Sequence, residues 1–441
     1  MISRTASAVL LVFVNVAFAV FMVILHSGLS SERAGPVDAC CPSNLNQFLD
    51  KLVTSAGTNA EDISIRLGNQ NGTCCLIERG IPGDETLKPI WSAAKMMTGY
   101  TIMKMVEDGI LGDIKMTKLN MLLDFWPTDE ADVRSGITLY HLLSQTSGID
   151  HNILVGPFGG LNTVEVAYII AADYPENNQA PGVHFKYSET NFILLGAAAV
   201  AATGAESWNS LFRHHIADPL GLSDACNFAW PIGDPVNHPG AFAVCSSDDY
   251  SKFLTAVYNT QIVSNTTREE MERPHTLLQG STGTAVTGAL SNYALGAWRQ
   301  CESEDCTSET GVTVHSMGYG GVFPWVHRSK NTTRSHWGLI FRNVTGSMAP
   351  SIRIQEAVLL GLGEKDTTAN QPSASCASKC QAETNQAGFT CEDMALLGQP
   401  YPPTPGLWSD PAKQDTFKGC GCSCIESDFH GEPRFAYCSD L

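Results

Sequence analysis

The chain has 441 residues, 43% of them apolar and 16% charged, a composition that builds a substantial core and excludes disorder as a description of the whole. Forty-five acidic against 27 basic residues give a net charge of −18, which repels phosphate backbones and speaks against nucleic acid as a partner. Fifteen cysteines that lack the paired CxxC spacing of zinc sites read as disulfides made in an oxidising compartment.

The N-terminus points to the same compartment. Arg4 precedes an apolar run over residues 8–25, broken only by Asn15, and no cysteine occurs before Cys40. As a helix the run would be about 27 Å long, nearly the thickness of a bilayer's hydrocarbon core. It is read as an uncleaved single-pass anchor, with cleavage after Ala19 or Ser30 as the alternative, so the rest of the chain is secreted or lumenal. Glycosylation sequons at Asn71, Asn265, Asn331 and Asn343 fit that fate.

Residues 40–363 alternate apolar-periodic segments with short turns and read as one unit after an N-terminal segment of residues 1–39. Helical spacing over residues 93–110 stops at Glu107-Asp108-Gly109, and residues 137–143 lead into the turn Gln145-Thr146-Ser147-Gly148. Residues 192–202 are rich in Leu and Ala and end at Gly204, a second helix. Strand-like runs come late, at residues 312–314 and 337–341, separated by Gly318, Gly320, Gly321 and a polar turn over 329–335. Early helices with late strands give an α/β or α+β body. From residue 364 the composition changes to a linker, and seven cysteines follow between Cys376 and Cys438 with few large aliphatic residues. The segment 364–441 is therefore expected to be a disulfide-stapled tail. Cys420-Gly-Cys422-Ser-Cys424 is read as part of that framework rather than as a metal site, and an odd total leaves at least one cysteine outside any intrachain pair.

The chain carries no GxSxG elbow, GxxxxGK[ST] loop, GxGxxG turn or HExxH helix. It does carry Ser92-Ala93-Ala94-Lys95. That spacing puts a hydroxyl and an amine on one helix face, and the first helical turn offers free N–H groups to a developing oxyanion. Since SxxK also arises by chance, the plain alternative is a helix start with a Ser cap and a solvated Lys.

The segments around the motif, in order, resemble the serine β-lactamase-like hydrolases: class C β-lactamases, D-alanyl-D-alanine carboxypeptidases and related esterases. After Ser92 and Lys95 come Met105-Val-Glu-Asp-Gly-Ile-Leu-Gly-Asp, similar to the family's helix end, and Ile137-Thr-Leu-Tyr-His-Leu-Leu-Ser-Gln-Thr-Ser-Gly, close to its ITLRHLLxxTSG. Phe185-Lys-Tyr-Ser-Glu-Thr-Asn resembles its Tyr-x-Asn motif, and the stretch from Ala241 resembles the segment before a late helix. The resemblance covers most of residues 45–363. It implies a β-lactamase/transpeptidase-like fold, an antiparallel sheet flanked by helices plus a helical lobe. It also implies Ser92 as the acylated nucleophile, Lys95 as its activator, Tyr187 as the proton-relaying phenol, and no cofactor.

Two departures bear on the chemistry. The asparagine of Tyr-x-Asn is replaced by Glu189, and Asn191 lies two residues on, out of register. An ionised carboxylate accepts but cannot donate to a substrate carbonyl, and its charge would hold Lys95 protonated. Three outcomes follow: Tyr187 takes more of the base role, Glu189 points away, or the site is dead. The third family motif falls near His315-Ser316-Met317-Gly318-Tyr319. If Ser316 takes the motif's first place, strand alternation turns His315 to the other face and no cation awaits a substrate carboxylate; if a bulge intervenes, His315 is a weak cation in the cleft. Gly318 fits a close backbone approach, with the Tyr319 N–H as an oxyanion donor. Glu189, His315, Ser316, Gly318 and Tyr319 are therefore the candidate substrate-binding residues. The function implied is a serine hydrolase acting on a small-molecule ester. The alternatives are a peptidase or transpeptidase on D-amino-acid or other small amides, and a non-catalytic binding module whose cysteine-rich tail contacts a partner.

Overall fold

Alternating apolar side chains in the strands divide the core into two layers, one on each face of a central sheet. The computed structural model describes 40–42, 45, 49, 63–79, 87–149, 161–173, 179–228, 237–277, 288–301, 306, 311–319, 321–331, 334–342 and 349–362, together with the backbone of 422–429 and 432–440. The apolar run at 8–25, the sequon at Asn343 and the linker lie outside the described residues, as do the tail's cysteine side chains. No helix among the described residues is long and apolar enough to cross a membrane.

The chain enters the sheet through β1 (Ile63–Asn69) and β2 (Gly72–Arg79). β3 (Lys88–Pro89) leads to the first long helix, α1 (Ala94–Glu107), which ends where the Glu-Asp-Gly signal places it. A helical stretch follows: α2 (Leu139–Leu143), α3 (Thr163–Asp173), α4 (Glu189–Thr203) and α5 (Trp208–Phe212). Gly204 closes α4 in the left-handed conformation, φ 66°, which a side chain would resist. β4 (Val244–Cys245) pairs with β3 and precedes α6 (Ser247–Tyr258) and α7 (Asn265–Glu272). The remaining strands are β5 (Thr276–Leu277), β6 (Gly288–Tyr293), β7 (Trp298–Cys301), β8 (Gly311–His315), β9 (Phe323–Ser329) and β10 (His336–Arg342). α8 (Ala349–Gly361) follows, and the tail contributes a two-stranded ladder, β11 (Cys422–Phe429) with β12 (Glu432–Asp440).

The main sheet runs β2-β1-β10-β9-β8-β7-β6-β5, with every neighbouring pair antiparallel. On one face Val314, Val326, Trp337, Leu339 and Phe341 pack with Met97, Phe192 and Phe253 of the helices. On the other, Ile63, Ile65, Phe323, Trp325 and Ile340 pack with Ile352, Ile354 and Val358 of α8. The expected antiparallel sheet with a helical lobe is thus the fold observed. β9 was not legible as a strand, because Pro324 interrupts it and its last three residues are polar.

Eight cysteines pair among themselves: Cys40–Cys74, Cys41–Cys75, Cys226–Cys245 and Cys301–Cys306. The first two tie the segment before β1 to β2. With fifteen in the chain, the odd cysteine belongs to the seven from Cys376 onward.

Candidate active site

Ser92 sits in a 3-10 turn, Trp91–Ala93, that runs directly into α1, so Ser92 and Lys95 lie one helical turn apart. Trp91 holds φ 49°, an uncommon conformation for a large side chain, and it turns the chain sharply at the nucleophile. The Tyr250 hydroxyl donates to the Ala93 carbonyl at 2.8 Å and fixes the turn from α6. Ser92 is 8% exposed and Lys95 is wholly buried, so this is no solvated helix start.

Lys95 Nζ meets three acceptors: Glu189 Oε2 at 2.6 Å, the Gly240 carbonyl at 2.8 Å and Ser92 Oγ at 3.2 Å. Three acceptors around one nitrogen match the three hydrogens of an ammonium. Burial pulls the Lys95 ammonium below the ordinary lysine value, and the Glu189 carboxylate opposes that shift. Glu189, the first residue of α4 behind the Ser188 cap, does not point away; Ser92 Oγ donates to its Oε1 at 3.4 Å.

Tyr187 lies against the same ion pair, its ring centroid 4.7 Å from Lys95 Nζ and stacked on Trp298 at 5.5 Å. Burial, then Tyr293 and Glu189, push its phenol well above the ordinary tyrosine value, while a hydrogen bond with Ser92 works against them. Asn191 is taken up elsewhere. Its amide nitrogen donates to Gln145 Oε1, and its oxygen accepts from Ser147 Oγ at 2.6 Å, so it braces the Gln145-Thr146-Ser147 turn and does not enter the site.

The stretch after β8 passes the nucleophile turn closely. Ser316 Oγ donates to the Ser92 carbonyl at 2.8 Å. A Cβ on Gly318 would stand 2.2 Å from the Ile90 carbonyl oxygen, so only glycine lets this backbone approach. Tyr319, 39% exposed, meets Trp91 edge-on at 5.9 Å, and Trp91 meets Phe242 at the same distance. His315 is the residue not brought in. It pairs with Trp325 across the ladder and packs on Phe323 at 5.0 Å, among the α8-side core. The structure does not bring His315 to Ser92: β8 pairs with β9 in regular register through His315, and alternation along β8 carries it to the α8-side face.

The loop over residues 237–241 supplies residues that sequence reasoning missed. Gly240 gives Lys95 its carbonyl. His238 is buried next to the pair, with Nδ1 accepting from the Gly240 N–H at 3.0 Å. Burial lowers its imidazole to about 4, with Glu189 opposing and Lys95 reinforcing the shift, so it is neutral at pH 7. The sequence here shows only turn chemistry, and no spacing ties it to Ser92. No cluster of metal-ligating side chains occurs among the described residues.

The β-lactamase family profile matches residues 79–335. Solved structures share the fold. A penicillin-binding protein homologue from Pyrococcus abyssi is 19% identical, with TM-score 0.57, 76% of this chain and 81% of that one covered. EstCE1, a hydrolase with promiscuous acyltransferase activity, is 18% identical, with TM-score 0.58, covering 71% and 97%. D-amino acid amidase from Ochrobactrum anthropi SV3 is 16% identical, with TM-score 0.53, covering 71% and 98%. No curated protein matches the sequence. A profile that spans more than half of the chain, on this fold and around this serine and lysine, means that the chain belongs to the β-lactamase family.

Proposed function

We propose that the protein is a serine hydrolase that forms an acyl-enzyme at Ser92 and acts on neutral carboxylic esters. The observation that carries the reading is the buried Ser92–Lys95–Glu189 constellation, in which the hydroxyl both accepts from an ammonium and donates to a carboxylate. A serine is nucleophilic only with such partners. The Ser92 and Tyr319 N–H groups are the oxyanion donors in this reading, and the passage of Gly318 against Ile90 supports it.

Neutral esters are favoured by what surrounds the serine. In this reading Ser316 stands where the family has its cation and offers only a hydroxyl, which donates to the Ser92 carbonyl, while His315 packs on Phe323. Trp91, Phe242 and Tyr319 form an aromatic cluster beside Ser92 that suits an apolar acyl or aryl group. A substrate carboxylate left unpaired in such a place costs several kcal/mol. The fold neighbours include both a hydrolase with promiscuous acyltransferase activity and a D-amino acid amidase, so family membership alone does not choose between ester and amide.

The test is kcat/KM for a short-chain neutral aryl ester and for a carboxylate-bearing chromogenic cephalosporin. The ester is turned over at least ~100-fold more efficiently, matching the discrimination against an unpaired charge, and Ser92→Ala abolishes both activities. Efficient cephalosporin hydrolysis contradicts the ester preference. Ester turnover that survives in Ser92→Ala removes the proposal.

A further inference from the structure

The proton on Ser92 needs an acceptor, and the site offers three groups within reach. Lys95 is a donor to Ser92, its three hydrogens directed at Ser92, Glu189 and Gly240. Tyr187 stands beside a carboxylate and a second phenol in a buried pocket, where the phenolate that a base must start from is disfavoured. Glu189 Oε1 is the atom to which the Ser92 hydroxyl already donates. We infer that Glu189 is the general base of this site, taking from Ser92 the proton that the family's tyrosine would relay, with Lys95 holding the carboxylate in place and Tyr187 orienting the hydroxyl. This rests on the acyl-enzyme reading above and names the group that makes it work.

The step balances without any further reactant. As Ser92 Oγ bonds to the ester carbonyl carbon, its proton moves to Glu189 and the carbonyl electron pair shifts to the oxyanion. On collapse the bond to the alcohol oxygen breaks, and the proton on Glu189 passes to that leaving oxygen. Water then attacks the acyl carbon and gives a proton to Glu189, which returns it to Ser92 Oγ as the acid departs. Glu189 ends as it began.

The charged and titratable groups facing Glu189 are Lys95 from α1, Tyr187 ahead of α4, His238 from the loop before β4, and Tyr293 at the end of β6. Lys95 forms an ion pair with its carboxylate at 2.6 Å, and His238, lowered by burial to about 4, is neutral near pH 7. A carboxylate acts as a base only when deprotonated, so protonating Glu189 on the acid side lowers the rate.

The experiment measures the second-order rate of Ser92 labelling by a fluorophosphonate from pH 4 to 9, a readout independent of the natural substrate. Glu189→Gln keeps the volume of the side chain and is expected to slow labelling by roughly 10²–10⁴-fold, the range for loss of a general base, and to erase the acid limb. Glu189→Asp restores part of both. Tyr187→Phe, which removes an orienting group, slows labelling by about tenfold and keeps the limb. Thermal melts establish that each variant is folded. The inference is overturned if Tyr187→Phe is the more damaging change, or if Glu189→Gln labels as fast as wild type. Normal labelling with no ester turnover would count against the ester reading alone and leave the base assignment standing. A wild-type Ser92 that does not label sinks both.

Discussion

Lys95 and Glu189 form a buried ion pair, and removing one partner leaves the other charged without solvent. Lys95→Met should therefore destabilise the protein by about 3–5 kcal/mol, whereas Lys95→Met combined with Glu189→Leu loses less, because the stranded carboxylate is gone. Urea denaturation of both variants checks this; an equal or larger loss in the double variant contradicts it. His336 carries a second residue-scale expectation. It is the first residue of β10, accepts from the Trp325 indole at 3.1 Å and faces His327 of β9 at 5.3 Å. Burial, reinforced by His327, lowers its imidazole to about 3. The unfolded chain binds that proton near pH 6.5, so the stabilising contribution is complete above that pH and is lost as pH falls toward 3. Between pH 7 and pH 4 the loss is on the order of 3 kcal/mol. His336→Gln should flatten the acid limb of the stability curve, and an unchanged limb would contradict the assignment.

Glycines decide how the elements meet. Gly338 of β10 lies opposite Trp325 of β9, and a Cβ there would stand 2.0 Å from the buried indole. Gly338→Ala is expected to cost about 1–3 kcal/mol as an overpacked core, measured as a lowered Tm with no change in the β-lactamase-type fold. A melting temperature equal to wild type would show that the indole can move. The sequence made some of these elements readable and hid others for physical reasons. α1 and α4 announce themselves by helical spacing and by stop signals at Gly109 and Gly204. β8 and β10 show as short β-branched or aromatic runs. β9 is hidden by Pro324, whose carbonyl still accepts from the Ser316 N–H at 3.2 Å, so the proline sits in the ladder as an acceptor. At the site, Ser92, Lys95, Tyr187 and Glu189 lie together, Glu189 standing where the motif has an asparagine, while His315 was ambiguous because one residue of register reverses its face. His238 and Gly240 could not be found, since a loop reaches the site through tertiary packing that leaves no period in the sequence.

At the scale of the whole molecule the cysteines separate the chain into two accounts. The eight up to Cys306 are satisfied among themselves, which fits an oxidising environment. The proposal that 364–441 is a separately stapled tail then requires that its seven cysteines pair with one another or beyond the chain. Non-reducing peptide mapping should recover the four body pairs and no bridge from the tail into residues 40–306. A chain ending at residue 363 should keep its ester turnover; loss of activity on truncation would place the tail within the catalytic unit. Asn71, Asn265 and Asn331 of the sequons are exposed.

The central claim is that Ser92 is an activated nucleophile, and intact-mass measurement after fluorophosphonate treatment, with peptide mapping of the adduct, tests it most directly. The account predicts one adduct per chain, on Ser92, absent in Ser92→Ala. A protein that gains no mass, or that carries the same adduct when Ser92 is alanine, would contradict it.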